Sequence, residues 1–189
     1  MTRSILLVGV GGQGTILTSK ILAQGLIELG YDVKMSEIHG MSQRGGSVNT
    51  QIRFGKKVHS PMIAVGEADT LVAFEKTEAV RHLSFLKPHG NLIVNDYEIY
   101  SLPVLLGKEC YPQDVIQRLK NTVKNTTIIN AAQIAQDIGN IKAQNMVLFG
   151  AVVKKMGLDD IDWIEIMKQN IHPRFHELNI RAFNEGMKS

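Results

Sequence analysis

Ser4-Ile5-Leu6-Leu7-Val8-Gly9-Val10-Gly11-Gly12-Gln13-Gly14 stands near the start of the chain, and Ser36-Glu37-Ile38-His39-Gly40-Met41-Ser42-Gln43-Arg44-Gly45-Gly46 follows one helix and one strand later. The first run reads as a buried strand that breaks into a glycine turn and starts a helix. The second is a glycine-rich loop with one arginine. In a parallel α/β sheet, loops leaving neighbouring strands at their carboxyl ends face one crevice. Bare backbone N–H groups from two such loops, with a guanidinium between them, suit an anion and above all a phosphate. Gly9-x-Gly11-x-x-Gly14 also fits the dinucleotide fingerprint, with Glu37 near the place of its acidic ribose ligand. The candidate binding residues are therefore Gly11, Gly12, Gln13, Gly14, Glu37, Arg44, Gly45 and Gly46. The fingerprint alone is a weak signal. Glycines at a tight strand-to-helix turn also serve close packing, and Arg44 equally suits a solvated surface position.

Outward from these loops, the composition narrows the possibilities. The chain has 189 residues, enough for one domain with a proper core, and a formal charge of +3 too small to argue for nucleic acid. Its single cysteine forbids an intrachain disulfide and points to a reducing cytoplasm. A four-thiolate iron–sulfur cluster is equally out of reach. The N-terminal apolar run is short and interrupted by glycines, so no signal peptide is expected, and no stretch approaches a membrane span.

Periodicity predicts a helix over 13–29, closed by Gly30, and a strand over 32–36. Residues 47–54 alternate, with Val48, Thr50, Ile52 and Phe54 on one face, as in a half-exposed strand. A turn at 55–57 and a return over 58–60 would make a hairpin and a mixed sheet. Strands are then expected at 70–74, 91–95 and 126–129, with a short one at 109–111. Helices are expected at 75–85, 113–119, 130–138, 143–155, 161–169 and from Pro173 towards Met187. The expected fold is a single α/β domain over 1–189. It has three layers, a mostly parallel but mixed sheet with helices on both faces, and a helical C-terminal extension over about 143–189. Gly150 inside a predicted helix costs about 1 kcal/mol relative to alanine. That cost points to a close backbone approach by another helix or a partner.

Catalytic candidates are sparse. Cys110, without a nearby histidine, reads as a buried structural thiol. His172 and His176 have zinc-like spacing but lack a third ligand. Glu75 and Asp96 sit at predicted strand ends, where helix capping and surface solvation are the better reading. His39 and His59 flank the arginine loop. None of these forms a nucleophile–base pair. The sequence offers a binding site and no catalytic set.

Taken together, the two glycine loops resemble the gamma-type domain of 2-oxoacid:ferredoxin oxidoreductases. Ser60-Pro61, Glu67-Ala68-Asp69, Asn145-Met146 with Leu148 and Gly150, and Asn179 with Ala182-Phe183 and Gly186 extend the likeness along the chain. The form His39-Gly40-Met41-Ser42-Gln43-Arg44-Gly45-Gly46 is most similar to the beta subunit of the indolepyruvate-type enzymes. The resemblance implies oxidative decarboxylation of an arylpyruvate with coenzyme A to an acyl-CoA, with reduction of ferredoxin. It implies thiamine diphosphate and iron–sulfur clusters on a large alpha subunit, with the present chain completing the assembly and inactive by itself. The glycine loops would then hold coenzyme A phosphates. Three other readings stay open: the gamma subunit of a pyruvate or branched-chain 2-oxoacid enzyme, a free-standing NAD- or FAD-binding oxidoreductase, and a purely structural subunit whose glycine loops bind nothing. The apolar residues 146–153 and Phe175, Leu178, Ile180 and Phe183 suggest a surface for the partner, or for homo-oligomers when the partner is absent.

Overall fold

The computed structural model describes residues 2–39 and 46–189, so Arg44 and Gly45 lie outside the described residues. The chain begins β1 (Arg3–Val10), α1 (Thr15–Glu28), β2 (Asp32–His39), β3 (Ser47–Gly55), β4 (Ala68–Ala73), α2 (Lys76–Arg81) and β5 (Leu86–Asn95). It continues with α3 (Leu102–Leu105), α4 (Val115–Thr122), β6 (Thr126–Ile129), α5 (Ala131–Asp137), α6 (Gln144–Met156), α7 (Trp163–Asn170) and α8 (His176–Met187). The six strands lie in the order β2-β3-β1-β4-β5-β6. β1, β4, β5 and β6 are parallel, and β3 runs antiparallel to both its neighbours.

Alternation along β1 splits its side chains between two cores. Ile5 and Leu7 join Ile52, Phe54, Val72 and Ile93 beneath α1, α5, α6, α7 and α8. Leu6 and Val8 join Leu71, Ala73, Leu92 and Val94 beneath α2 and α4. The sheet is mixed and three-layered, as the pattern predicts. The helical C-terminal part supplies most of one covering layer.

Several expectations need correction. The hairpin forms between β2 and β3, across the arginine loop, and no strand forms at 58–60 among the described residues. Residues 56–67 run instead as an irregular segment over the second face of β3. Gln51 on that face is 4% exposed, its Oε1 accepting from Ile63 N–H at 2.6 Å. The strand is therefore covered on both faces, and a satisfied polar residue hides that fact in the sequence. Residues 109–111 form no strand, and in this irregular stretch Cys110 is exposed rather than buried.

The apolar face of α6 is no partner surface. Met146, Val147, Leu148 and Phe149 are fully buried, and α8 lies directly across them with Phe183 buried in the contact. A β-carbon on Gly150 would stand 2.2 Å from Phe183 O, and one on Gly186 1.9 Å from Val147 O. The close approach expected at Gly150 is thus to the chain's own last helix. Large apolar side chains reach solvent elsewhere, notably Leu102, Leu105 and Leu106 around α3.

Candidate functional site

β1 delivers the glycine turn to the carboxyl edge of the sheet. Gln13 staples it there: its Oε1 accepts from Val10 N–H at 2.8 Å, and its Nε2 donates to Phe74 O at the end of β4, also at 2.8 Å. The Gln13 carboxamide is therefore committed to the fold. Gly9 is a packing glycine, since a β-carbon would come within 2.9 Å of Phe74 Cβ. Gly11 N–H donates to Gly46 O at 2.9 Å and joins the two glycine loops directly. Gln13 N–H donates back to Val10 O at 3.1 Å.

Gly12 and Gly14 differ. Both hold left-handed backbone, with φ of 98° and 82°, and their N–H groups donate to nothing among the described residues. Gly14 is also the N-cap of α1, with no side-chain cap and no acidic residue in the first turn. Free donors and the positive end of a 14-residue helix thus meet at one point, which is the geometry of an anion site.

A cleft opens on each side of the turn. The larger, about 640 Å³, is walled by Ile16, Leu17 and Val48, with Lys20 and the end of α7 at Gln169 and Asn170. The smaller, about 370 Å³, is lined by Tyr97, Ile141, Lys142, Gln144 and Asn145. Gly12 and Gly14 belong to both. A β-carbon on Gly14 would lie 2.5 Å from Asn145 Nδ2, so glycine there lets α6 seat its first turn against the loop. Of the predicted residues, the structure brings Gly11, Gly12 and Gly14 into the larger cleft, Gly12, Gln13 and Gly14 into the smaller, and Gly46 against Gly11.

Glu37 lines neither cleft. It faces Thr50 in the β2–β3 register, and its Oε1 is buried without a hydrogen-bond partner among the described residues. The two parallel strands β1 and β2 are not neighbours, because β3 stands between them. In a dinucleotide-binding sheet the strand carrying the acidic residue flanks the first strand directly. Here it is set back by one more strand spacing, roughly 5 Å.

The buried carboxylates beside the turn serve the scaffold. Glu75 is fully buried and caps α2, its Oε2 accepting from Thr77 N–H at 2.7 Å and Glu78 N–H at 3.0 Å. Its Oε1 accepts from the Tyr111 hydroxyl at 2.5 Å, and burial together with this bond pushes the phenol pKa far up. Asp96, in contrast, is exposed and pairs with Lys76 at 3.2 Å. Glu78 accepts from Arg81 Nε at 2.9 Å and Ser47 Oγ at 2.5 Å, with His82 Nε2 3.6 Å from its Oε2. Burial alone would raise the Glu78 pKa, but His82, Ser47 and Arg81 outweigh it and hold the carboxyl below its ordinary value. His172 and His176 bond to nearby backbone, Nδ1 of the first accepting from Arg174 N–H and Nε2 of the second lying 2.7 Å from Ile171 O.

Sequence reading did not single out Lys20, Tyr97, Lys142 or, as a site residue, Asn145. Lys20 follows the turn on the helix face that the turn exposes, and its helical spacing could have marked it. Nothing local ties Tyr97, Lys142 or Asn145 to a turn so much earlier in the chain.

Comparison with known proteins gives this arrangement a context. The model of the pyruvate ferredoxin/flavodoxin oxidoreductase family matches residues 4–189. The chain belongs to that family. It is 38% identical over 190 residues to the indolepyruvate oxidoreductase subunit IorB of Methanothermobacter thermautotrophicus, covering 98% of this chain and 96% of that one. The corresponding Thermococcus kodakarensis subunit is 34% identical over 193 residues, covering 98% and 95%. Among solved structures, the gamma subunit of a keto/oxoacid ferredoxin oxidoreductase from Geobacter sulfurreducens shares the fold at a TM-score of 0.74 and 24% identity, covering 100% of this chain and 95% of that one. The Magnetococcus marinus 2-oxoglutarate:ferredoxin oxidoreductase, solved with 2-oxoglutarate, coenzyme A and succinyl-CoA bound, shares it at 0.72 and 19% identity, covering 99% of this chain and 30% of that one. The chain is an IorB-like subunit of a 2-oxoacid:ferredoxin oxidoreductase. Among its described residues, no helix is long and apolar enough to cross a membrane.

Proposed function

We propose that this subunit serves an indolepyruvate-type enzyme, which decarboxylates arylpyruvates oxidatively to acyl-CoA, and that its glycine turn holds coenzyme A phosphates. The observation that carries the reading is the pair of unengaged N–H groups at Gly12 and Gly14 where α1 begins, between two clefts. Substrate class follows the name of the Methanothermobacter relative, and coenzyme A is the bound ligand named for the Magnetococcus structure. Thiamine diphosphate and iron–sulfur clusters belong to the large partner subunit in this reading, and ferredoxin meets the complex there. The chain contains no Gly-Asp-Gly thiamine signature, and one exposed cysteine cannot supply about four thiolates. What this chain contributes is binding and orientation: donors fixed by the fold hold the phosphates, so the thiol arm is presented to chemistry carried out next door.

Arg44 tests the reading. A charge-assisted bond from its guanidinium to phosphate is worth roughly 1.5–3 kcal/mol, so Arg44→Ala raises the KM for coenzyme A of the assembled enzyme about ten-fold or more. Arg44→Lys recovers only part of this, because a point charge does not reproduce the planar fork. Loss of subunit association with an unaltered coenzyme A dependence would instead make Arg44 an assembly residue and end the phosphate role.

A further inference from the structure

The segment between β5 and α4 is held in place yet packs on neither core. Both its ends are rooted at the start of α2. Glu98 pairs with Lys76 at 2.6 Å, and the Tyr111 hydroxyl donates to the buried Glu75 at 2.5 Å. The Tyr100 and Tyr111 rings close the base, with centroids 5.3 Å apart. Between the roots, Leu105 N–H donates to Ser101 O and Leu106 N–H to Leu102 O, both at 3.0 Å, so α3 is a formed helical turn. No side chain from 98 to 110 is buried, however, and no residue from 97 to 114 belongs to either core. Leu102, Leu105 and Leu106 are 67%, 66% and 60% exposed. Their spacing, i, i+3 and i+4, gathers them on one face of the turn, the pattern by which a helical segment anchors in an apolar groove. An apolar cluster on a fixed arm marks a contact surface.

The same chain carries a groove of matching character. Between α2 and α4 lies a cavity of about 340 Å³, with the buried Val115 and Leu119 as its floor and Val80, Leu83 and Pro112 as its walls. Arg81 and Arg118 also line it, and no carboxylate does. Arg81 is already paired with Glu78. Arg118 in the groove and Glu109 on the arm have no ion pair among the described residues. Arm and groove adjoin, since Pro112 follows the arm by two residues. The rooted ends hold the arm off its own groove, as the exposure of all three leucines shows. Two complementary surfaces side by side on one chain suit a two-fold axis, across which each contact is made twice.

We propose that a second copy of this chain covers both surfaces, the leucine arm of each copy lying in the α2–α4 groove of the other, with Glu109 facing Arg118 across the two-fold. Fixing the arm before association lowers the ordering cost of docking it. The pairing leaves the glycine turn and both of its clefts out of the contact, because none of their lining residues belongs to the arm or the groove.

The test is sedimentation velocity of the full-length chain over a concentration series, with circular dichroism as the check on folding. The wild type should be a dimer. Leu105→Asp on the arm and Val80→Asp in the groove, both at exposed positions, should each give a folded monomer. Glu109→Arg and Arg118→Glu should each raise the dimer Kd about ten-fold by setting like charges opposite one another, and the doubly reversed chain should recover the wild-type value. A monomeric wild type would overturn the proposal, as would a Leu105→Asp dimer of unchanged Kd. Loss of the dimer in Leu105→Asp but not in Val80→Asp, or a double reversal no better than the single ones, would overturn the groove as the seat of the arm. Co-purification with the large partner subunit supplies the competing outcome. A monomeric wild type whose Leu105→Asp variant no longer holds that subunit would assign the arm to the partner instead.

Discussion

Replacing Gly150 with alanine sets two physical effects of opposite sign against each other. Helix propensity alone favours alanine by about 1 kcal/mol in a helix interior. Packing opposes it. The new β-carbon would stand 2.2 Å from Phe183 O and 2.8 Å from Met187 N, both backbone atoms of α8 that no side-chain rotation can clear. Restoring ordinary contact moves the two helices apart by roughly 1 Å, a gap that forfeits a quarter to a half of each dispersion contact across it. Those contacts include the Phe149 and Phe183 rings, whose centroids are 5.5 Å apart. Overpacking of this severity costs about 3 kcal/mol, and propensity offsets about 1, leaving a net loss of about 2 kcal/mol. For a chain of this size that is a fall in Tm of roughly 4–8 °C. Thermal and urea unfolding can be followed by circular dichroism and by the emission of Trp163, the sole tryptophan, which packs edge-on against Phe149 at 5.1 Å. A Gly150→Ala protein as stable as wild type, or more so, would refute the close-approach account.

Other expectations concern the buried carboxylates. The Glu78 carboxyl has its folded pKa below the ordinary value of 4.5. It therefore contributes stability above the unfolded pKa, and loses it as pH falls through the folded one. Urea midpoints measured from neutral to acid pH should fall less steeply for Glu78→Gln than for wild type across that window, and parallel curves would count against the linkage. Tyr111→Phe leaves Oε1 of the fully buried Glu75 without its hydroxyl donor and should cost roughly 1–3 kcal/mol, read as a shift in the urea midpoint. Glu75→Ala should cost at least as much, since the cap of α2 goes with it.

What was legible in the sequence was what local pattern encodes. The apolar run of β1, the turn at Gly11–Gly14 and the helix after it announce themselves within a few residues. So do the Asn130 cap of α5, whose side chain accepts from Gln133 N–H, and the left-handed Gly157 that ends α6. The illegible part is what distant segments do to one another. β3 reads as half-exposed because Gln51 is polar, and only Ile63, on a strandless segment, satisfies it. The apolar stripes of α6 and α8 look like surfaces awaiting a partner until each is seen to cover the other. Asp162 caps α7, its side chain accepting from Glu165 N–H, and with Asp159 and Asp160 so close by, composition alone does not resolve which acid caps. In the site, the turn was readable, but the second wall of each cleft comes from segments far along the chain.

The bond from Gly11 N–H to Gly46 O turns one amide proton into a gauge of the hairpin. Its hydrogen exchange reports how often the end of the β2–β3 connection parts from the turn after β1, since that donor faces no ligand. The amides of Gly12 and Gly14, which have no partner among the described residues, should exchange quickly in the free chain and slow when an anion arrives. Three glycines within four residues thus carry separate clocks, one for the scaffold and two for its occupancy.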